Sequence, residues 1–292
     1  MAARFDLKVF FEVAAKPVAA VSAADVLGFI TAQRTGARCL PEPGVRAAPT
    51  DPVGVCSRTI RRRLSTVSGL YAFLAVRGDV PTNPVPRGLP TRREQGRPGQ
   101  GVPLVRAPCR TLPRILTPAD VDALTGALRT QRDRAMVAAM VLGALRRCEV
   151  LGLRLGDVNA GERRLFINEG KGGSQRLVPI SPRFFEHLAA YLDQERPADA
   201  DTDALFLVLK RPRRGQPLTA YGIDQVMDDA RARAGLAHAS CHELRHTCLT
   251  RLREAGMPLE AVQAQAGHAS IESTRIYLHL ADDWLASQYR RA

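Results

Sequence analysis

The chain has 292 residues, of which 45% are hydrophobic, and its formal net charge is +13. This length and this hydrophobic content suffice for two folded domains and exclude a disordered chain. No apolar run approaches the roughly 20 residues that span a bilayer, and the N-terminus has no signal-peptide pattern, so we expect a cytoplasmic protein without membrane partners.

The positive charge is concentrated in the first part of the chain. Lys and Arg outnumber Asp and Glu by 17 to 7 in residues 1–113, but only by 25 to 22 in residues 114–292. Because Lys and Arg neutralise phosphates, the imbalance favours nucleic acid as the partner, with the first part of the chain as the stronger binder.

Two helices are predicted near the N-terminus. The first begins at Ser22, a capping residue paired with Asp25, and ends at Gly36. The second covers residues 57–74, where apolar residues recur at helical spacing. Its arginines are predicted to lie largely off the apolar stripe, where they either form a solvated face or, as we favour, contact phosphates. These residues are Arg58, Arg61, Arg62 and Arg63.

The segment 87–114 is predicted to be a linker between two domains. It is rich in Pro, Gly and Arg, has no hydrophobic period, and its seven arginines face a single acid, Glu94. Such a segment can become ordered along a phosphate backbone, and we therefore count Arg92 and Arg93 among the candidate DNA contacts.

Residues 115–292 are predicted to form a mainly helical domain with a small β-sheet. Thr117-Pro118 is a helix start, and the apolar stretch 135–145 indicates a buried helix that ends at Arg146. Two short strands flank a Gly-Lys-Gly-Gly turn, which places Lys171 at a hairpin tip. Further helices are predicted at residues 182–192, 221–234, 243–254, 259–265, 271–278 and 283–290.

Several side chains in this domain are suited to phosphoryl transfer. Arg146 follows the buried helix, with Glu149 one turn later to orient it, and a guanidinium can hold two phosphate oxygens at once. His242, Arg245 and His246 share one helix face. Taken singly, each of these groups is typical of a polar surface.

The order of these motifs resembles that of the tyrosine recombinases, the phage-integrase family. Residues 144–153 (ALRRCEVLGL) resemble the family's first arginine box, and residues 242–247 (HELRHT) resemble its His-x-x-Arg box. Gly267-His268 and then Tyr277 complete the pattern at the usual spacing. The resemblance covers residues 115–280 and implies a catalytic domain at 115–292 behind a helical core-binding domain at 1–86.

The resemblance also implies a role for each matching residue. Tyr277 is the nucleophile, Lys171 protonates the leaving 5′ oxygen, and His268 hydrogen-bonds a phosphate oxygen. His242 handles a proton near the tyrosine, with His246 as a structural neighbour, and Glu149 supports the site. The implied catalytic set is Arg146, Lys171, His242, Arg245, His268 and Tyr277.

The implied activity is site-specific recombination of double-stranded DNA through a 3′-phosphotyrosyl intermediate and a Holliday junction, by a homotetramer on paired sites. This chemistry needs no metal or other cofactor, and the six cysteines contain no C-x-x-C pair. Two alternatives stay open: a type IB topoisomerase, and a catalytically silent DNA-binding regulator. The sequence also leaves open accessory DNA-bending or directionality proteins, and the choice among integration, excision, transposition and dimer resolution.

Overall fold

A computed structural model of the chain describes residues 2–36, 54–86, 105, 113–168, 175–268 and 274. Contacts divide the chain into two compact units, Met1–Thr111 and Leu112–Ala292. No helix within the described ranges is long and apolar enough to cross a bilayer.

The described residues of the first unit form three α-helices. Both helices predicted in this region are confirmed, and the Ser22 capping box with Asp25 is formed at the start of the earlier one. A helix that was not predicted precedes them. The helices are α1 (Ala2–Ala14), α2 (Ala23–Thr35) and α3 (Ser57–Arg77), with a short 3-10 turn at Val18–Ala20.

Apolar faces of these three helices pack into one core. Phe10 of α1 contacts Phe29 of α2 edge to face, with ring centroids 5.1 Å apart, and Ile60 and Tyr71 of α3 are buried in the same cluster. Val105 also packs there and is 1% exposed, although it lies inside the predicted linker. At least this one residue of segment 87–114 therefore belongs to the first unit's core.

Arg63 is not on the exposed face of α3 that the helical pattern predicted. It is 1% exposed, donates a hydrogen bond to Gln33, and lies over the ring of Phe5. Position 63 lies three residues after Ile60 on α3, so it shares the apolar face. The buried Asp6 of α1 accepts a hydrogen bond from Arg62 at 2.8 Å. Arg58 is exposed and Arg61 is half-buried.

The second unit is mainly helical around a small sheet, as predicted. The helices are α4 (Pro118–Gly126), α5 (Gln131–Gly143), α6 (Arg147–Gly152), α7 (Pro182–Gln194), α8 (Ala220–Arg233), α9 (Cys241–Glu254) and α10 (Leu259–Ala266). The strands are β1 (Val158–Asn159), β2 (Arg164–Ile167) and β3 (Arg176–Pro179), preceded by a 3-10 turn at Leu155–Asp157.

Helix α5 is the centre of this unit. It is capped by Thr130, and nearly every side chain along it is buried, because it packs against both α7 and α9. The strands form an antiparallel sheet in the order β1-β2-β3, with Leu165 opposite Val178. This pairing confirms the predicted hairpin, but its tip, residues 169–174, lies outside the described residues.

The end of α5 differs from the prediction. The helix stops at Gly143 because Ala144 adopts a left-handed conformation with φ 57°, and Arg146 then occupies the N-cap position of α6. Arg146 thus lies in the short connection between two helices. The last two predicted helices, 271–278 and 283–290, fall outside the described residues apart from Thr274.

Candidate active site

The connection between α5 and α6 fixes the position of Arg146. Its backbone N–H donates to Glu149 Oε2 at 2.8 Å, and its side-chain Nη1 donates to Glu149 Oε1 at 2.6 Å. Glu149 therefore caps the start of α6 and orients the guanidinium with the same carboxylate. The side chain of Arg146 keeps 20% of its surface exposed, so it can still reach a ligand.

Glu149 is the centre of a cluster of cations. Its side chain is fully buried, and Arg176 of β3 donates to both carboxylate oxygens, at 3.0 and 2.8 Å. Arg245 Nη1 lies 3.9 Å from Oε2. Burial alone would raise the pKa of Glu149, but hydrogen bonds from Arg176 and Arg146 outweigh it and hold the pKa below its ordinary value. One carboxylate thus faces three guanidinium groups.

Arg245 joins three segments at the site. It lies on α9, is 3% exposed, and donates to the carbonyl of Ala144 and to that of Ala266 at 2.6 Å. Because those carbonyls end α5 and α10, the guanidinium holds both helix ends against α9. Nη2 is also 3.1 Å from Nε2 of His268.

The turn after α10 brings the backbone close to two arginines. Gly267 has φ 58°, and its carbonyl accepts a hydrogen bond from Arg146 Nη2 at 2.9 Å. A Cβ at this position would lie 2.6 Å from Arg176 Nη1, so any other residue would have to displace that guanidinium and adopt a strained backbone. Gln265, which is buried, donates to the carbonyls of Gly143 and Pro179 and so ties α10 to α5 and β3.

Three histidines border the cluster, and all have lowered pKa values. Burial and the neighbouring Arg245 lower the pKa of His268 to about 4, and burial with the neighbouring His242 lowers that of His246 to about 4. His242 is exposed as a residue, but partial desolvation of its ring and the nearby Arg245 lower its pKa as well. Its Nε2 is 2.7 Å from Nε2 of His246. At neutral pH, His246 and His268 are uncharged.

The structure brings together four of the predicted site residues: Arg146, Glu149, Arg245 and His268. His242 is on the same helix as Arg245, paired with His246. Among the residues that the structure describes, the cluster has three guanidiniums and one carboxylate, a net charge of +2 that suits it to hold an oxyanion. Within the described residues, no group of His, Cys, Asp or Glu has the arrangement of a metal site.

Four other predicted residues lie outside the described part of the chain. They are Lys171, Tyr277, Arg92 and Arg93.

Sequence reasoning missed three residues that build the site. Arg176 was not among the predicted site residues, although its guanidinium donates to both carboxylate oxygens of Glu149. Gln265 and Thr274, whose Oγ1 lies 2.9 Å from Nδ1 of His268, were not singled out either. A polar residue two positions before the Gly-His pair was the available signal for Gln265, while nothing local marked Thr274.

We expect the Glu149→Gln substitution to lower the free energy of unfolding at neutral pH by about 3 kcal/mol, because it leaves partly buried cations without their carboxylate. The pKa of Glu149 is lowered in the fold, so its stabilisation is complete above the unfolded value of about 4.3 and disappears as the pH falls through the lower folded value. The difference from wild type should therefore shrink in acid.

Urea unfolding at neutral pH and below about pH 4 measures this difference. Glu162→Gln is the matched control, because the carboxylate of Glu162 is exposed and pairs with Arg164 at 3.6 Å. A destabilisation by Glu149→Gln that stays constant with pH would contradict the expectation.

The geometry and the comparisons with known proteins agree on the class of protein. Residues 114–283 match the profile of the phage integrase family. The chain therefore belongs to this family, the tyrosine recombinases. The chain is 32% identical over 235 residues to tyrosine recombinase XerC of Roseiflexus sp. strain RS-1, covering 77% of this chain and 69% of that protein. It is 31% identical to XerC of Pelotomaculum thermopropionicum, covering 82% of this chain and 76% of the relative.

Solved structures share the fold. A Tn1549 transposon integrase in complex with a circular intermediate DNA matches with a TM-score of 0.68 and 18% identity, over 100% of this chain and 94% of that one. A lambda integrase dimer bound to a COC′ core site matches with a TM-score of 0.63 and 15% identity, over 92% of this chain and 87% of that one.

Proposed function

We propose that this protein is a site-specific DNA recombinase that cuts and rejoins strands through a 3′-phosphotyrosyl intermediate. One observation carries the proposal: Arg146, Arg245 and His268 converge around the buried Glu149. Guanidinium groups fixed in advance stabilise the charge that develops on a phosphodiester during transfer, without a metal. The solved relatives described in complex with DNA support the same substrate.

The proposed chemistry assigns each group one task. Tyr277 attacks the phosphorus, Lys171 protonates the leaving 5′ oxygen, and Arg146 and Arg245 hold non-bridging oxygens. Partial desolvation and Arg245 lower the pKa of His242, which keeps the ring unprotonated and therefore available to accept a proton. Storing the bond energy in a phosphotyrosine allows religation to another strand without a cofactor.

The first unit is proposed to bind the DNA duplex. Arg58 is exposed on α3 and Arg61 is half-buried, so both can contact phosphates, together with Arg92 and Arg93 in the basic segment. The guanidinium of Arg62 is paired with Asp6 at 2.8 Å, which weakens its attraction for a phosphate. Arg63 is buried and belongs to the core. We therefore expect Arg58→Ala to weaken binding more than Arg62→Ala.

Strand exchange is proposed to proceed through a Holliday junction in a homotetramer on paired sites. Accessory DNA-bending or directionality proteins remain open partners. The roles consistent with this chemistry are integration, excision, transposition and dimer resolution.

Covalent capture of DNA tests the proposed function. The protein is incubated in EDTA with fragments of its host genome, and complexes that survive SDS are digested and sequenced. We expect a few sites to be captured, each through its 3′ phosphate. DNA binding without any covalent complex would instead support the silent regulator, and relaxation of supercoils by a monomer on one unpaired site would support a topoisomerase.

The role of Lys171 has its own test. Lys171→Ala should slow cleavage of ordinary DNA by about two orders of magnitude, because the leaving oxygen loses its acid. A 5′-bridging phosphorothiolate should restore most of that rate, since a thiolate leaves without a proton. Arg146→Ala is the control and should show no comparable rescue. Equal rescue of both variants would assign the acid to another group.

A further inference from the structure

Thr274 is a fully buried hydroxyl that contacts the site from the far side of His268. Its Oγ1 is 2.9 Å from Nδ1 of His268, and its exposed fraction is 0%. Gln263 fixes the backbone of the same histidine: its carbonyl accepts from the His268 N–H at 3.2 Å and its side-chain Nε2 donates to the His268 carbonyl at 3.1 Å. The imidazole is therefore held between a hydroxyl and the guanidinium of Arg245.

The directions of these hydrogen bonds follow from the chemistry of the groups. A guanidinium only donates, so Nε2 of His268, at 3.1 Å from Arg245 Nη2, is the acceptor. A neutral imidazole carries one N–H, which must then be on Nδ1 and donate to Thr274 Oγ1. The ring is neutral at pH 7, because burial and Arg245 lower its pKa to about 4.

We propose that the imidazole of His268 is the Nδ1–H tautomer in the free protein and changes to the Nε2–H tautomer when a phosphate oxyanion binds. In this proposal Thr274 is the positioning residue for both forms. A hydroxyl can accept from Nδ1–H in the free site and donate to the bare Nδ1 in the occupied one. A methyl group at the same place could do neither.

The binding of an oxyanion is what requires the change. A phosphate oxygen that accepts from Arg245 replaces the Nε2 lone pair as the acceptor, and Nε2 can contact a second phosphate oxygen only by donating a proton. The ring releases the Nδ1 proton to water and takes one proton from water at Nε2, so its charge is unchanged. In the free protein, Arg245, His268 and Thr274 therefore hydrogen-bond to one another. When substrate binds, the hydrogen bond between Arg245 and His268 is replaced by hydrogen bonds from both side chains to phosphate oxygens.

Nitrogen NMR of the full-length protein with ¹⁵N-labelled histidine tests the free state, with His268→Gln used to assign the ring. The couplings between ring nitrogens and carbon-bound protons distinguish the two tautomers and the charged ring. We expect the Nδ1–H form in the wild-type protein. An Nε2–H or doubly protonated ring in the free protein overturns the proposal. This measurement does not depend on the proposed recombinase activity.

The occupied state is examined with the Tyr277→Phe protein and a duplex recovered by covalent capture, and this part rests on the proposed function. We expect a neutral Nε2–H ring in the complex. An unchanged or doubly protonated ring overturns the proposed change. If no duplex is ever captured, the recombinase assignment fails, while the free-state spectrum still decides how His268 is stored.

A pair of substitutions separates positioning from packing. Thr274→Ser keeps the hydroxyl and should leave the rate of covalent capture within about threefold of wild type, whereas Thr274→Val should slow it by about tenfold, because the imidazole is no longer held in a useful tautomer. In a His268→Ala background, Thr274→Val should change the rate by less than about twofold. Equal slowing in both backgrounds would assign Thr274 to packing alone and overturn its role.

Discussion

The Tyr277→Phe protein is expected to bind its DNA site with near-wild-type affinity and to form no covalent complex. The substitution removes the attacking oxygen but keeps the ring, so packing is preserved while the nucleophile is lost. Capture on a nicked suicide substrate, resolved by denaturing electrophoresis, measures the effect, and a gel shift measures binding.

Tyr221→Phe is the matched control for this experiment, because Tyr221 is 78% exposed on α8 and has no assigned role. It should capture DNA at the wild-type rate. Denaturation-resistant complexes formed by Tyr277→Phe, attached through another tyrosine, would remove Tyr277 from the mechanism.

Arg146→Ala is expected to slow cleavage by about two orders of magnitude or more, while Arg147→Ala leaves the rate within about threefold. These neighbours differ sharply in their surroundings. Arg146 is oriented by the buried Glu149 and by the carbonyl of Gly267, whereas Arg147 is exposed and pairs with Asp224 of α8. Single-turnover cleavage of a captured site gives both rates.

The thermal stability of both variants is measured alongside the cleavage rates, because each substitution also removes an ion pair and could destabilise the fold. A loss of activity in Arg146→Ala without a matching loss of folded protein assigns the effect to the site. Similar slowing in both variants would mean that Arg146 acts through the stability of α6 rather than on the phosphate.

Local patterns were enough to predict most of the fold. Capping residues such as Ser22 and Thr117 mark helix starts that the structure confirms, since a cap acts within a few residues of the chain. The hairpin followed from two short strands and a glycine-rich turn. The pairing of Arg146 with Glu149 was also predictable, because side chains three residues apart lie close together at the first turn of a helix.

The features that were missed depend on partners distant in sequence. Arg176 reaches Glu149 across 27 residues. Arg63 shares the apolar face of α3, but a buried arginine needs a partner, and its partner Gln33 lies 30 residues away on another helix. Helix α1 has no acidic residue in its first turn and no basic residue in its last, so the usual charge signals at helix ends are missing. Only tertiary packing specifies such contacts.

The left-handed turn at Gly267 makes the cation cluster sensitive to volume as well as to charge. A single methyl group there would meet the guanidinium of Arg176 and, through it, disturb the carboxylate that orients Arg146. In a library of random variants, alanine at position 267 should thus be found among inactive proteins that retain every ionisable side chain. Gly267→Ala changes no charge at this site, yet we expect it to be among the substitutions that impair the site most.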